Sequence, residues 1–104
     1  MRTIRIHPAA AEEAIRATAW YERQQAGLGR DFEAAVNAAM DLLGCDPIPS
    51  TVAAGISGKP GVRRLILKRF PYDVVFIERP DHVWVIAFAH HCRRPAFWRG
   101  RSGS

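Results

Sequence analysis

Cysteine is scarce. The 104-residue chain has two, Cys45 and Cys92, at neither metal-site nor thioredoxin-type spacing, which excludes a disulfide framework and a zinc module. Both thiols are expected as small buried or half-buried fillers. Long hydrophobic runs are missing as well. The longest uncharged apolar stretch, Val83 to Ala89, is far too short to span a bilayer, and the amino terminus lacks a signal-peptide core, so the expected setting is cytoplasmic, with no membrane partner. Only four serines occur, Ser50, Ser57, Ser102 and Ser104, all in loop or tail sequence, which leaves no serine beside a base. Acidic residues thin out along the chain: the first 52 residues carry five Arg against seven Asp/Glu, and the remaining 52 carry ten Lys/Arg against three. The second half is strongly basic. Thirteen of the fifteen cations are Arg, whose planar fork suits carboxylate and phosphate, so an anionic partner is expected.

Apolar residues make up 48% of the chain and charged residues 24%, enough for one globular core. Thr3 to His7 alternates polar and apolar residues, a short strand that Pro8 stops. Ala11, Ala14, Ile15, Thr18 and Tyr21 then recur at helical spacing, with Glu12 placed to pair with Arg16. That helix should end near Gly27. Leu28, Phe32, Ala35, Val36, Ala39, Leu42 and Leu43 form the apolar stripe of a second helix, closed by Gly44 and Pro47. The short Gly27-Leu28-Gly29 joint makes a helical hairpin. Gly44 to Gly61 reads as a long surface loop. Val62 to Arg69, Tyr72 to Arg79 and His82 to His91 read as three strands of an antiparallel meander.

The predicted fold is therefore α+β, in the order β-α-α-β-β-β: a four-stranded, largely antiparallel sheet with a helical hairpin on one face. Residues 1–99 form the domain and 100–104 a tail. In the last strand, Val83, Val85, Ala87 and Ala89 should share one face, and Trp84, Ile86 and Phe88 the other, which makes the strand central. A hairpin covers one sheet face only. The other face is either a partner surface rimmed by arginines or the seat of the carboxy-terminal segment.

That segment, His90 to Arg101, interleaves cations with Phe97 and Trp98. Such a mixture can stack on bases and hold phosphates, dock an acidic protein segment, or close the core with its rings. His90 and His91 are adjacent in a strand and so point to opposite faces; His90 is the one plausible proton-transfer residue. Gly27-Leu28-Gly29 is helix punctuation, because Phe32 stands where a dinucleotide fingerprint needs its third glycine. Glu12, Glu13, Glu22, Asp31 and Glu33 are expected as solvated helix charges. No metal or cofactor is implied.

Taken in order, Trp20-Tyr21-Glu22, Gly27-Leu28-Gly29-Arg30-Asp31-Phe32, Val62-Arg63-Arg64, Arg69-Phe70-Pro71-Tyr72, Ala89-His90 and Arg93-Arg94-Pro95-Ala96-Phe97-Trp98 resemble the RelE/ParE superfamily of plasmid-stabilisation toxins. The resemblance runs from about Ile4 to Arg99. It implies a toxin of a type II toxin-antitoxin system, neutralised by a cognate antitoxin whose complex with it binds operator DNA. RelE-like members cleave messenger RNA on the ribosome; ParE-like members poison DNA gyrase. In RelE an arginine follows the position of Tyr72 and a tyrosine closes the tail, whereas here Asp73 and Phe97 or Trp98 stand there, which favours the ParE-like, non-enzymatic reading. A substitute ribonuclease constellation of His90, Arg69 and Arg93 is the alternative, and a decayed domain that binds only antitoxin or DNA is a third. The expected contact residues for target or antitoxin are Arg63, Arg64, Lys68, Arg69, Tyr72, Arg93, Arg94 and Trp98.

Overall fold

The structure, a computed structural model, describes residues 3–45, 54–55, 61–92 and 97–101. The chain runs through β1 (Thr3–Ile6), α1 (Pro8–Gln24), α2 (Leu28–Leu43), β2 (Ala54–Gly55), β3 (Val62–Ile66), β4 (Tyr72–Glu78) and β5 (His82–His90), then a single 3-10 turn, Arg99–Arg101. The sheet order is β1-β5-β4-β3-β2. β2 to β5 pair antiparallel, while β1 joins β5 in parallel, with Ile4 opposite Val83. The α+β reading and element order hold. The sheet is mixed, and the two-residue β2, from within the expected loop, is added at its edge.

Local chemistry explains the helix boundaries. Pro8 occupies the first turn of α1, where its missing N–H costs nothing, and His7 accepts the Ala9 amide through Nδ1 at 3.0 Å. The hairpin joint uses its two glycines differently. Gly27 has φ near +90°, open to glycine with little strain. A Cβ on Gly29 would lie 2.7 Å from the Thr18 carbonyl oxygen, so Gly29 lets α2 approach α1 backbone to backbone. Glu22 bridges the joint, its carboxylate accepting the Gly27 and Gly29 amides at 3.0 Å. It caps α2 in place of a side chain at the N-cap itself.

All seven positions of the α2 stripe are buried or half-buried. The face expected for α1 is rotated. Ala10, Ala17 and Tyr21 point inward, and Ile15 is 68% exposed. Alanines occur all around this helix, so its periodicity defines the inward side poorly, and packing against β5 selects it. Phe32, Phe76, Val74, Val83, Val85 and Phe88 join that helix-side core.

β5 departs from simple alternation. Phe76 pairs with Val85 and Val75 with Ala87, so Ile86 is an extra residue, a β-bulge. Beyond it the faces exchange: Phe88 and His90 join Val83 and Val85 on the helix side, while Ala87 and Ala89 join Trp84 and Ile86 on the other. The parity expected from sequence holds up to Ile86 and is overturned after it. Because the bulge hands Phe88 to the helix side, Ile86 and Ala87 together pave the second face. There Val62, Val75, Trp84, Ile86, Ala87 and Trp98 form a second core, with Phe97 half-buried against it. Of the two expected uses of this face, the structure takes the second: the chain's own ending covers it. The cysteine expectation is also corrected. Cys45 follows α2 and Cys92 follows β5, both in exposed turns.

Candidate functional site

The expected contact residues divide between two surfaces. On the helix-covered side, Arg63 pairs with Glu78 across the β3–β4 ladder and lies over the Phe76 ring. Arg69 reaches Asp31 of α2 at 3.2 Å and lies over Phe70, and Tyr72 is half-buried against Phe32 and Tyr21. His90 meets Tyr72 edge-on, with ring centroids 5.0 Å apart. Its Nδ1 accepts the Cys92 amide at 3.0 Å, so the neutral ring carries its proton on Nε2. On the opposite side lies Arg64, which approaches Asp73 at 3.5 Å. Arg63 and Arg64 cannot serve one surface, because neighbours in a strand face apart. Lys68 is exposed. Arg93 and Arg94 lie outside the described residues.

Trp98, expected as a contact residue, is buried. At 4% exposure it fills the second core, so its ring has no free face for a partner. The physical reason is the area of an indole: an apolar sheet face without helices gains most by covering itself with the nearest large ring.

Three residues expected as solvated helix charges have structural partners. Glu22 caps α2, Asp31 pairs with Arg69, and Glu13 accepts the Phe88 amide at 3.1 Å and the Arg101 guanidinium at 3.0 Å. Glu12 behaves as expected, pairing with Arg16 in solvent at 2.9 Å. Asp73 is 8% exposed and receives both Arg64 and His91, the latter at 2.9 Å. The Asp73 carboxylate is thus held between two donor side chains. His91, not selected from sequence, has this oriented geometry. Its signal was the lone carboxylate in an apolar strand, Asp73, which needs a donor nearby.

A groove of about 500 Å³ opens between α1 and the end of β5, lined by Glu13, Arg16, Trp20, Tyr21, Tyr72 and His90 among others. Burial pushes the Tyr21 hydroxyl above the ordinary tyrosine pKa, which keeps it protonated as a donor. A second groove, of about 600 Å³, lies on the other flank of α1, between Ile15 and Val36. Trp20, 50% exposed, and Ile15 stand on the ridge between them. Among the described residues no cluster of His, Cys, Asp or Glu could hold a metal ion, and no helix is long and apolar enough to cross a membrane.

The fold has a solved counterpart. The fold is that of a chain from the chromosomal ParDE toxin-antitoxin system of P. aeruginosa. The two superpose with a TM-score of 0.62 at 20% identity, over 86% of this chain and 96% of that one. The ParDE-like fold thus takes in nearly the whole of its counterpart. No family model matches the sequence, and no curated protein matches it.

Proposed function

We propose that the chain is the toxin of a type II toxin-antitoxin pair, that it acts in the cytoplasm by binding a target, and that a cognate antitoxin neutralises it. The observation that supports this is the fold shared with the ParDE chain over almost its full length. The ridge of α1 is the antitoxin's docking surface. Its exposed Ile15 and Trp20, with a groove on each flank, suit an amphipathic segment that folds on binding.

The binding mode, rather than RNA cleavage, follows from the residues. Asp73, where RelE carries an arginine, turns to the opposite sheet face from Tyr72 and so offers no cation beside Tyr72 and His90, and Trp98, with no hydroxyl, is buried. The target surface is the exposed rim of β3, with Arg64 and Lys68. DNA gyrase is the target by analogy of fold. The test is a supercoiling assay with purified gyrase. Inhibition by the wild-type protein, weakened in Arg64→Glu/Lys68→Glu, supports the reading; unimpaired supercoiling removes gyrase as target. Ribosome-dependent messenger cleavage that disappears in His90→Ala would replace the binding mode with the ribonuclease one.

A further inference from the structure

β5 outruns its neighbour. The β1 ladder ends with Ile6 opposite Val85, and one further bond runs from the His7 amide to the Val85 carbonyl at 2.8 Å. The strand nevertheless continues to His90. From Ile86 onward, one edge of β5 faces no strand among the described residues, over roughly 16 Å at ~3.3 Å per residue. Such an edge presents bare donors and acceptors, and proteins rarely leave one open.

Here two side chains from the far ends of the sequence stand in for the missing strand. Glu13 Oε1 accepts the Phe88 amide at 3.1 Å, as a carbonyl of a neighbouring strand would. Arg101 Nη1 donates to the Ile86 carbonyl at 3.1 Å, as a neighbouring amide would, and to Glu13 Oε1 at 3.0 Å. The two side chains are 12% and 20% exposed. Arg101 also lies 5.2 Å from the Phe97 ring centroid, and the Arg101 amide donates to the Trp98 carbonyl at 2.9 Å. The residue that closes the edge is therefore tied to the segment that covers the second sheet face.

We infer that the β5 edge from Ile86 to His90 is a strand-docking site that the chain holds shut with the Glu13–Arg101 pair. The occupant that fits is an extended segment alternating acidic and apolar residues. The groove beside this edge is lined by Arg16, which also pairs with Glu12, and by Arg23, together with Trp20, Tyr21, Phe88 and His90, with Glu13 as its one carboxylate among the described residues. Acidic side chains meet those cations, and apolar ones meet the rings. A second copy of the chain is disfavoured, because two-fold pairing would bring its own His90 and arginines against these. For the partner's identity this deepens the antitoxin reading above; the closure of the edge stands independently of it. Docking and closure are mutually exclusive, so a docked strand releases Arg101, and the affinity observed is reduced by the fraction of molecules that are open.

The probes are two synthetic decapeptides, one alternating Val and Glu and one alternating Val and Lys, with hydrogen exchange read at the Phe88 amide. In Arg101→Ala, with its fold checked by circular dichroism, the Phe88 amide should exchange about tenfold faster, and the Val-Glu peptide should bind about tenfold more tightly than to wild type. The Val-Lys peptide should not bind either protein, and Arg16→Glu/Arg23→Glu should lose the Val-Glu preference. Glu13→Gln, which keeps an acceptor for Phe88 but weakens the hold on Arg101, gives the same direction should Arg101→Ala fold poorly. Unchanged Phe88 exchange in both variants overturns the closure. Equal binding of the two peptides overturns the docking site. A protein that fails to arrest growth yet shows the exchange change would lose the toxin reading while keeping this one.

Discussion

Replacing Trp98 by alanine separates two roles that its sequence context left open. The indole is 4% exposed and packs with Val62, Val75, Trp84, Ile86 and Ala87 on the sheet face that the helices do not cover. Truncating a buried Trp costs about 3–5 kcal/mol, from lost transfer energy and the cavity left behind. A domain of this size has a total stability of roughly 5–15 kcal/mol, so the loss takes a large share of it. At about 4–8 °C per kcal/mol, the melting temperature should fall by roughly 12 °C or more. Trp98→Phe, which refills most of the space, should recover over half of that loss. The assay is thermal and urea unfolding followed by circular dichroism, with tryptophan fluorescence as a second probe. A Trp98→Ala protein as stable as wild type, but impaired in binding its partner, would refute the core assignment and restore Trp98 as a contact residue.

Gly29→Ala should destabilise by about 1 kcal/mol: its Cβ meets the Thr18 carbonyl oxygen at 2.7 Å and the Glu22 Cβ at 2.9 Å, and overpacking of ~1–3 kcal/mol outweighs the helix-propensity gain of ~1 kcal/mol. Urea titration checks the sign. Glu22→Ala should cost about 1 kcal/mol, because the Gly27 and Gly29 amides lose their acceptor, and the same titration reads it. Tyr21 gives an alkaline signature. Its folded pKa is raised by burial, so the stability it contributes is complete below the ordinary value of 10.0 and is lost as pH rises through the raised one. Tyr21→Phe should therefore flatten the decline in stability on the alkaline side, measured as melting temperature against pH.

The fold was legible where one residue type could occupy only one environment. The α2 stripe mixes large apolar residues with charged ones, and its seven positions all turn inward. α1 was harder, since alanine is tolerated on either side and only contact with β5 decides that Ala10 and Ala17 face the core. The order of the strands followed from run lengths and prolines, but the bulge at Ile86 did not. Nothing in Val-Ile-Ala-Phe marks the extra residue, and the exchange of faces beyond it moved Phe88 and His90 to the helix side. For the site, the rule that neighbours in a strand face apart was applied to His90 and His91. It applies equally to Arg63 and Arg64, which the structure places on opposite sides. The roles of Glu13 and Arg101 were not legible, because they come from the two ends of the chain and meet only when β5 outruns β1.

The proposal that this chain is a toxin restrained through α1 is tested most directly by growth after induction. Cells induced to express the chain alone should stop forming colonies, and co-expression of a cognate antitoxin should restore them. Ile15→Glu/Trp20→Glu should stay toxic but escape that rescue. Unimpaired growth with the folded wild-type protein present would contradict the account.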